Sequence, residues 1–101
     1  MILSAEELKK IRRILTESKT IAVVGLSPKP DRPSHRVGAY LMEAGYNVIP
    51  VNPGQEMILG RTSYPDLTAI PTPVDLVDIF RRPEAVAPIV EEAIAIGAKY
   101  I

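Results

Sequence analysis

The chain has 101 residues, 47% apolar and 24% charged, and its 12 basic and 12 acidic side chains cancel to a formal net charge of zero. That length predicts a single domain, 1–101; the composition lacks the signature of disorder, and the charge balance argues against a broad nucleic-acid footprint, which needs a basic excess. With no cysteine and one histidine, disulfides, thiolate chemistry and a cysteine or multi-histidine metal site are excluded.

Ser4-Ala5-Glu6-Glu7 has the spacing of a capping box. Leu8, Ile11, Ile14 and Leu15 follow at helical intervals, which predicts an amphipathic helix over 1–18 with Lys9, Lys10, Arg12 and Arg13 on its wet face. Thr20 to Leu26 reads as a first strand. It is followed by a loop rich in proline and charge, Ser27 to Pro33, and by a helix with Ser34 as its expected N-cap. That helix carries a stripe of Val37, Tyr40, Leu41 and Ala44 and stops at Gly45. Tyr46 to Val51 reads as a second strand with Pro50 near its end, because proline cannot donate to a ladder. Asn52-Pro53-Gly54 is a turn.

Between Met57 and Pro71 the pattern is weaker. It suggests a short third strand at Gly60–Tyr64 and a helical turn within Tyr64–Ile70. Val74 to Phe80 reads as a central strand. A helix opens at Pro83, with Pro88 expected in its first turn or at a break, and ends at Gly97. Ala98 to Ile101 begins a last strand. Ten prolines fall mostly between these segments, and no internal repeat interrupts them.

This alternation predicts an α/β fold: a Rossmann-like parallel sheet with helices on both faces, three layers α/β/α, apparently short at its C-terminal end. Ligands in such sheets lie beyond the C-terminal strand ends. Those ends carry Gly25–Ser27, Val51–Pro53 and Phe80–Arg82, so three segments converge on one crevice.

Ile21-Ala22-Val23-Val24-Gly25-Leu26-Ser27-Pro28 is a strand ending on glycine ahead of a helix, the usual place for a nucleotide's phosphates. It is neither G-x-G-x-x-G nor a P-loop. Gly25 permits close approach, Ser27 offers a hydroxyl, the helix start offers backbone N–H groups, and Lys29, Arg32 and Arg36 offer charge. A plain turn with solvated charges is the alternative. Asn52 stands where a dinucleotide fold usually has an acidic ribose ligand, which disfavours NAD. Asn52-Pro53 is either a wall beside a purine or simply a turn. The Phe80 ring is either core or a stacking surface, and Arg81 and Arg82 either reach an anion over the crevice or sit on the surface. His35 has no nucleophile or carboxylate partner in the pattern. Asp75 and Asp78 are spaced to point to opposite faces of a strand, so no catalytic constellation is expected.

Taken together, I-A-V-V-G-L-S-P-K-P, R-P-S-H-R-V-G-A-Y-L, G-Y-N-V-I-P-V-N-P, G-R-T-S-Y-P-D-L and V-D-L-V-D-I-F-R-R-P-E resemble the small stand-alone CoA-binding-domain proteins of bacteria and archaea. These are similar in fold to the CoA-binding domain of the succinyl-CoA synthetase alpha subunit, and the resemblance spans Ile2 to Ile101. It implies non-covalent, non-catalytic binding of coenzyme A or an acyl-CoA. The phosphate loop matches Gly25, Ser27, Pro28 and Lys29; the second-strand turn matches Asn52 and Pro53; the later loop matches Phe80, Arg81 and Arg82. Gln55 stands where the synthetase relatives have a lysine, and the synthetase's phosphorylated histidine has no counterpart.

Three other functions remain open: a CoA-binding subunit of a multi-chain acyl-CoA ligase, an NAD(P)-binding oxidoreductase fragment, and a purely structural or interaction domain with a vestigial pocket. The chain stops at a short last strand with little cover. Self-association through that exposed edge is therefore expected, unless the chain is cut short at a gene boundary. No apolar run approaches a membrane span and the N-terminus lacks a signal-peptide pattern, so a cytoplasmic location without a membrane partner is expected.

Overall fold

The computed structural model describes residues 4–101; residues 1–3, where the predicted first helix begins, lie outside them. Helix α1 spans Ala5–Glu17 behind the expected capping box: Ser4 Oγ accepts from Glu7 N–H, and the Glu7 carboxylate accepts from Ser4 N–H. Strand β1 is Thr20–Val24, helix α2 Pro33–Glu43 and strand β2 Asn47–Val51. A two-residue hairpin follows, β3 Met57–Ile58 and β4 Arg61–Thr62, then a 3-10 turn at Leu67–Ala69. Strand β5 is Leu76–Ile79 and helix α3 is Pro83–Ala95.

The main sheet is parallel, in the order β2-β1-β5, so β1, not the predicted Val74–Phe80 segment, is central. Each face of β1 is sealed, which is why it is apolar without alternation. Ala22 and Val24 join Ile49, Val51, Val77 and Ala93 under α3 and the 3-10 turn. Ile21 and Val23 join Val48, Leu26 and Leu41 under α2. Helix α1 is amphipathic as expected, but it buries no residue completely. Ile11, Ile14 and Leu15 share a shallow cleft of about 270 Å³ with Leu76, Asp78 and Ile101.

Several local expectations are corrected. The first strand ends at Val24, because Gly25 turns the chain. Pro50 lies inside β2, paired with Val23 and buried. Bonds to β1 are made by the residues that flank it: Asn47 N–H donates to Lys19 O, and Val51 O accepts from Gly25 N–H. Alternation turns the missing N–H of Pro50 to the outer edge, where only its carbonyl is used, accepting from Tyr64 N–H. The third strand predicted at Gly60–Tyr64 is instead the β3–β4 hairpin, turned through Leu59 and Gly60, both at positive φ.

Ser34 is not the N-cap of α2. Pro33 takes the first helical position and Arg32 caps it through backbone only. Pro88 lies within α3 without ending it. Pro88 and Glu84 are both exposed, so water can reach the Glu84 carbonyl that proline leaves without a donor. Of the last predicted strand, a single parallel bridge from Tyr100 to Leu76 is formed, and among the described residues it is all that meets the outer edge of β5. The Glu92 carboxylate accepts from Leu67 N–H and ties α3 to the 3-10 turn.

Two carboxylates give opposite pH signatures. Asp75 precedes β5 and accepts from both Lys19 and Thr20 N–H at 2.9 Å, which holds its pKa below the usual carboxylate value. Its stabilisation is present above the unfolded-state pKa and lost as pH falls through the folded one. Asp75→Ala is expected to cost about 1 kcal/mol at pH 7 in urea unfolding, discounted for solvent exposure, and nothing at pH 2. Asp78 is half-buried beside apolar side chains, and desolvation raises its pKa. Its contribution is favourable below the unfolded-state pKa and is lost as pH rises through the folded one. Asp78→Asn should therefore raise the melting temperature at pH 7, and the gain should vanish near pH 3.

Candidate functional site

Strand order places β2 and β5 on opposite sides of β1, with α2 on one face and α3 on the other. The switch point is thus the pair of strand ends at Gly25 and Phe80. A cavity of about 740 Å³ opens there, lined by Gly25, Ser27, Lys29, Arg32, Pro33, Ser34 and the stretch Ile79–Arg82.

Gly25 has φ +85°, and a Cβ built on it would overlap the Phe80 carbonyl oxygen and lie 3.3 Å from Arg81 Nε. Only glycine lets β1 leave the sheet this close to the end of β5. The Phe80 ring is both alternatives at once: half-buried against the α2-side core, and part of the cavity wall.

The loop after Gly25 is held by side chains of other elements. Asn52 Nδ2 donates to Leu26 O at 3.1 Å, while Asn52 Oδ1 accepts from Gly54 N–H at 3.0 Å and forms the expected turn. Ser27 N–H donates to Ser34 Oγ at 3.0 Å, and Lys29 N–H donates to Ser27 Oγ at 3.1 Å. Those two amides are therefore already engaged. At the start of α2, Pro33 has no N–H, and His35 and Arg36 N–H both donate to Arg32 O, which leaves only Ser34 N–H for an anion. Backbone amides contribute less here than the sequence pattern suggests.

Charge contributes more. Lys29, Arg32, Arg81 and Arg82 line the cavity with no acidic residue in its lining, and none of the four forms a salt bridge among the described residues. A chain of zero net charge thus concentrates four cations at one strand-end opening. Arg36 is not among them: its guanidinium donates to Asp31 O at 2.8 Å, and it lies outside the lining. One residue per turn decides this, since Arg32 caps the helix beside the cavity and Arg36 sits a full turn further on. Pro28 is exposed and also outside the lining. Pro53 lies in a second, smaller cavity of about 130 Å³, lined also by Val24, Val51, Leu67, Glu92 and Arg81. Arg81 therefore borders both spaces, and Asn52 shapes the loop between them. Ser34, 5% exposed, is the polar cavity residue that sequence reasoning missed, beside the apolar Pro33 and Ile79. The proline ahead of it was the available signal, because proline at the first helical position moves the cap back to Arg32.

Among the described residues, no group of three or more histidine, cysteine or acidic side chains could hold a metal, and no helix is long and apolar enough to cross a membrane.

Sheet order, glycine turn and cationic cavity together define an α/β domain with a cation-lined cleft at the switch point of its sheet. The chain belongs to the CoA binding domain family, which it matches over residues 19–101. It is 47% identical over 83 residues to "Uncharacterized protein YneT" of Bacillus subtilis (strain 168), a match covering 82% of this chain and 62% of that protein. A solved structure of a "hypothetical protein from Pyrococcus horikoshii OT3" superposes with a TM-score of 0.87 at 49% identity, over 89% of this chain and 63% of that one. The structure of "cell-free ID.343 from Thermus thermophilus" superposes with a TM-score of 0.83 at 39% identity, over 89% and 69%. The chain thus spans under two thirds of the first two of these relatives.

Gly25→Ala tests the floor of the cavity. Left-handed strain alone costs about 1–2 kcal/mol, and the overlap with Phe80 adds to it. Urea unfolding should show a loss at or above that range, and an unchanged midpoint would contradict the close approach.

Proposed function

We propose that this domain binds coenzyme A, free or acylated, non-covalently, with the ligand's phosphates in the cavity at Gly25 and Phe80, and that it does no chemistry itself. The observation that carries this reading is the group of four unpaired cations around an opening of about 740 Å³, a volume within the range of small-molecule sites. Membership of the CoA binding domain family supplies the ligand class. Ser27 and Ser34 hydroxyls each accept from a backbone N–H, which leaves each hydroxyl proton to donate into the cavity. Neither hydroxyl has a base hydrogen-bonded to it, so a hydrogen-bonding role fits them better than a nucleophilic one.

NAD is disfavoured on geometry. The second strand ends in Asn52, whose amide is occupied by Leu26 O and Gly54 N–H, and no carboxylate waits there for ribose hydroxyls. Self-association through the outer edge of β5 belongs to the same proposal. Sedimentation of the titration sample reads it directly: a dimer supports it, and a clean monomer removes it without touching the ligand reading.

Calorimetric titration with CoA, against NAD⁺ and ATP, tests the function. Saturable binding of CoA alone, weakening with added salt, is the expected result. No CoA binding by a folded sample, or equal binding of NAD⁺, would overturn it. Arg81→Ala removes one charge-assisted contact and should weaken CoA about 10-fold or more. A greater loss for CoA than for dephospho-CoA would place Arg81 on the 3′-phosphate, and equal losses would place it on the diphosphate.

A further inference from the structure

Two adjacent residues of α2 hold both main-chain groups of a single loop residue. Ser34 Oγ accepts from Ser27 N–H at 3.0 Å, and His35 Nδ1 lies 2.8 Å from Ser27 O. We propose that Ser34 and His35 form a two-point clamp that positions the Ser27 loop for ligand, with His35 held in its Nδ1–H tautomer as the donor. The proposal rests on the CoA reading above.

The tautomer follows from the acceptor. A carbonyl oxygen has no proton to give, so Nδ1 must carry one for the 2.8 Å contact to be a hydrogen bond. The neutral ring then leaves Nε2 as its only acceptor. Protonating Nε2 does not remove the Nδ1 proton, so the clamp holds in both charge states.

The clamp matters because of what shares the helix with it. An N–H and a C=O of the same residue, seized by consecutive residues of one helix, fix the loop in position and in rotation. Arg32 caps that helix and lines the cavity. The clamp therefore sets the separation between the Ser27 backbone, on the loop, and the backbone of Arg32, at the start of the helix. Asn52, in the turn after β2, secures the preceding carbonyl, Leu26 O. A loop held this way before ligand arrives loses less conformational freedom on binding. His35 itself lies outside the cavity lining, so it is a positioning residue and not a ligand contact.

The test combines a rescue with a spectroscopic signature. His35→Leu keeps bulk and removes the donor. His35→Asn places an amide nitrogen the same number of bonds from the backbone as Nδ1. Ser34→Ala removes the other point of the clamp at a position where a helix tolerates alanine. His35→Leu and Ser34→Ala should each weaken CoA about 5- to 10-fold, the loss of one hydrogen bond, while His35→Asn stays within about 3-fold of wild type. ¹⁵N NMR of the ligand-free protein near neutral pH should show the Nδ1–H tautomer. An Nε2–H tautomer, unchanged affinity in His35→Leu, or a His35→Asn loss equal to that of His35→Leu would each overturn the clamp. If His35→Leu does not fold, the tautomer and the His35→Asn variant still decide the matter, because Ser34→Ala also removes a hydroxyl that lines the cavity. Failure of the wild type to bind CoA would instead overturn the ligand reading, leaving the clamp to stand or fall by the tautomer.

Discussion

The contact on which the rest of the site depends is the approach of the Gly25 backbone to the Phe80 carbonyl. Parallel strands diverge where their connections leave to opposite faces, and that divergence opens the crevice. Here the two strand ends stay so close that no Cβ fits between them. Phe80 N–H also donates to Val24 O at 2.8 Å, so the ladder between β1 and β5 runs on to the brink of the turn. Arg81 and Arg82 are thereby delivered opposite Ser27 and Lys29 instead of out into solvent. A wider gap would still hold a sheet, but it would not set two pairs of cations across a single opening.

Clustered like charges repel, and nothing acidic lines the cavity to offset them. All four side chains are exposed, so water screens the repulsion and the cost to the folded state is small. An anionic ligand that displaces some of that water meets charges whose backbone anchors are already fixed. Pro30 and Pro33 restrict the loop carrying Lys29 and Arg32, and Pro83 restricts the exit after Arg82. The domain thus combines a stiff main chain with mobile charged ends. Such an arrangement suits a flexible ligand with charge at two separate places, as CoA has on its diphosphate and 3′-phosphate.

The α/β order and the strand bearing Gly25 were legible in the sequence because each rests on local periodicity or on a turn residue with one structural meaning, whereas of the three segments expected at one crevice only Gly25–Ser27 and Phe80–Arg82 supply its lining and Val51 and Pro53 border a second cavity. What was not legible depended on partners distant in the chain. Pro50 looked like a strand end, since nothing local shows that β2 bonds to β1 through the residues flanking it and leaves the proline nitrogen at the open edge. Met57 to Tyr64 is held by a two-residue hairpin and a bridge from Tyr64 to Val51, too short to leave a period-two pattern. Arg36 and Arg32 are equivalent in composition, and only the true start of α2 separates the one that lines the cavity from the one that bonds Asp31. The two-residue shift of the cap from Ser34 to Arg32 hid Ser34, which reads as a cap and acts as a buried acceptor for the loop.

Labour at the site is divided by charge. The polar residues Asn52, Ser34 and His35 direct their hydrogen bonds at backbone groups of Leu26 and Ser27, whereas Lys29, Arg32, Arg81 and Arg82 are left to face the opening. A glycine-rich dinucleotide loop works the other way, presenting free amides to the pyrophosphate and a carboxylate to the ribose. Here Ser27 and Lys29 amides are taken up in shaping the loop, so phosphate recognition passes to long side chains that can follow their target. On the CoA reading, side-chain recognition tolerates variation in where the phosphates sit and selects by the separation of the anionic groups, which is the physical argument for a ligand whose 3′-phosphate lies apart from its diphosphate.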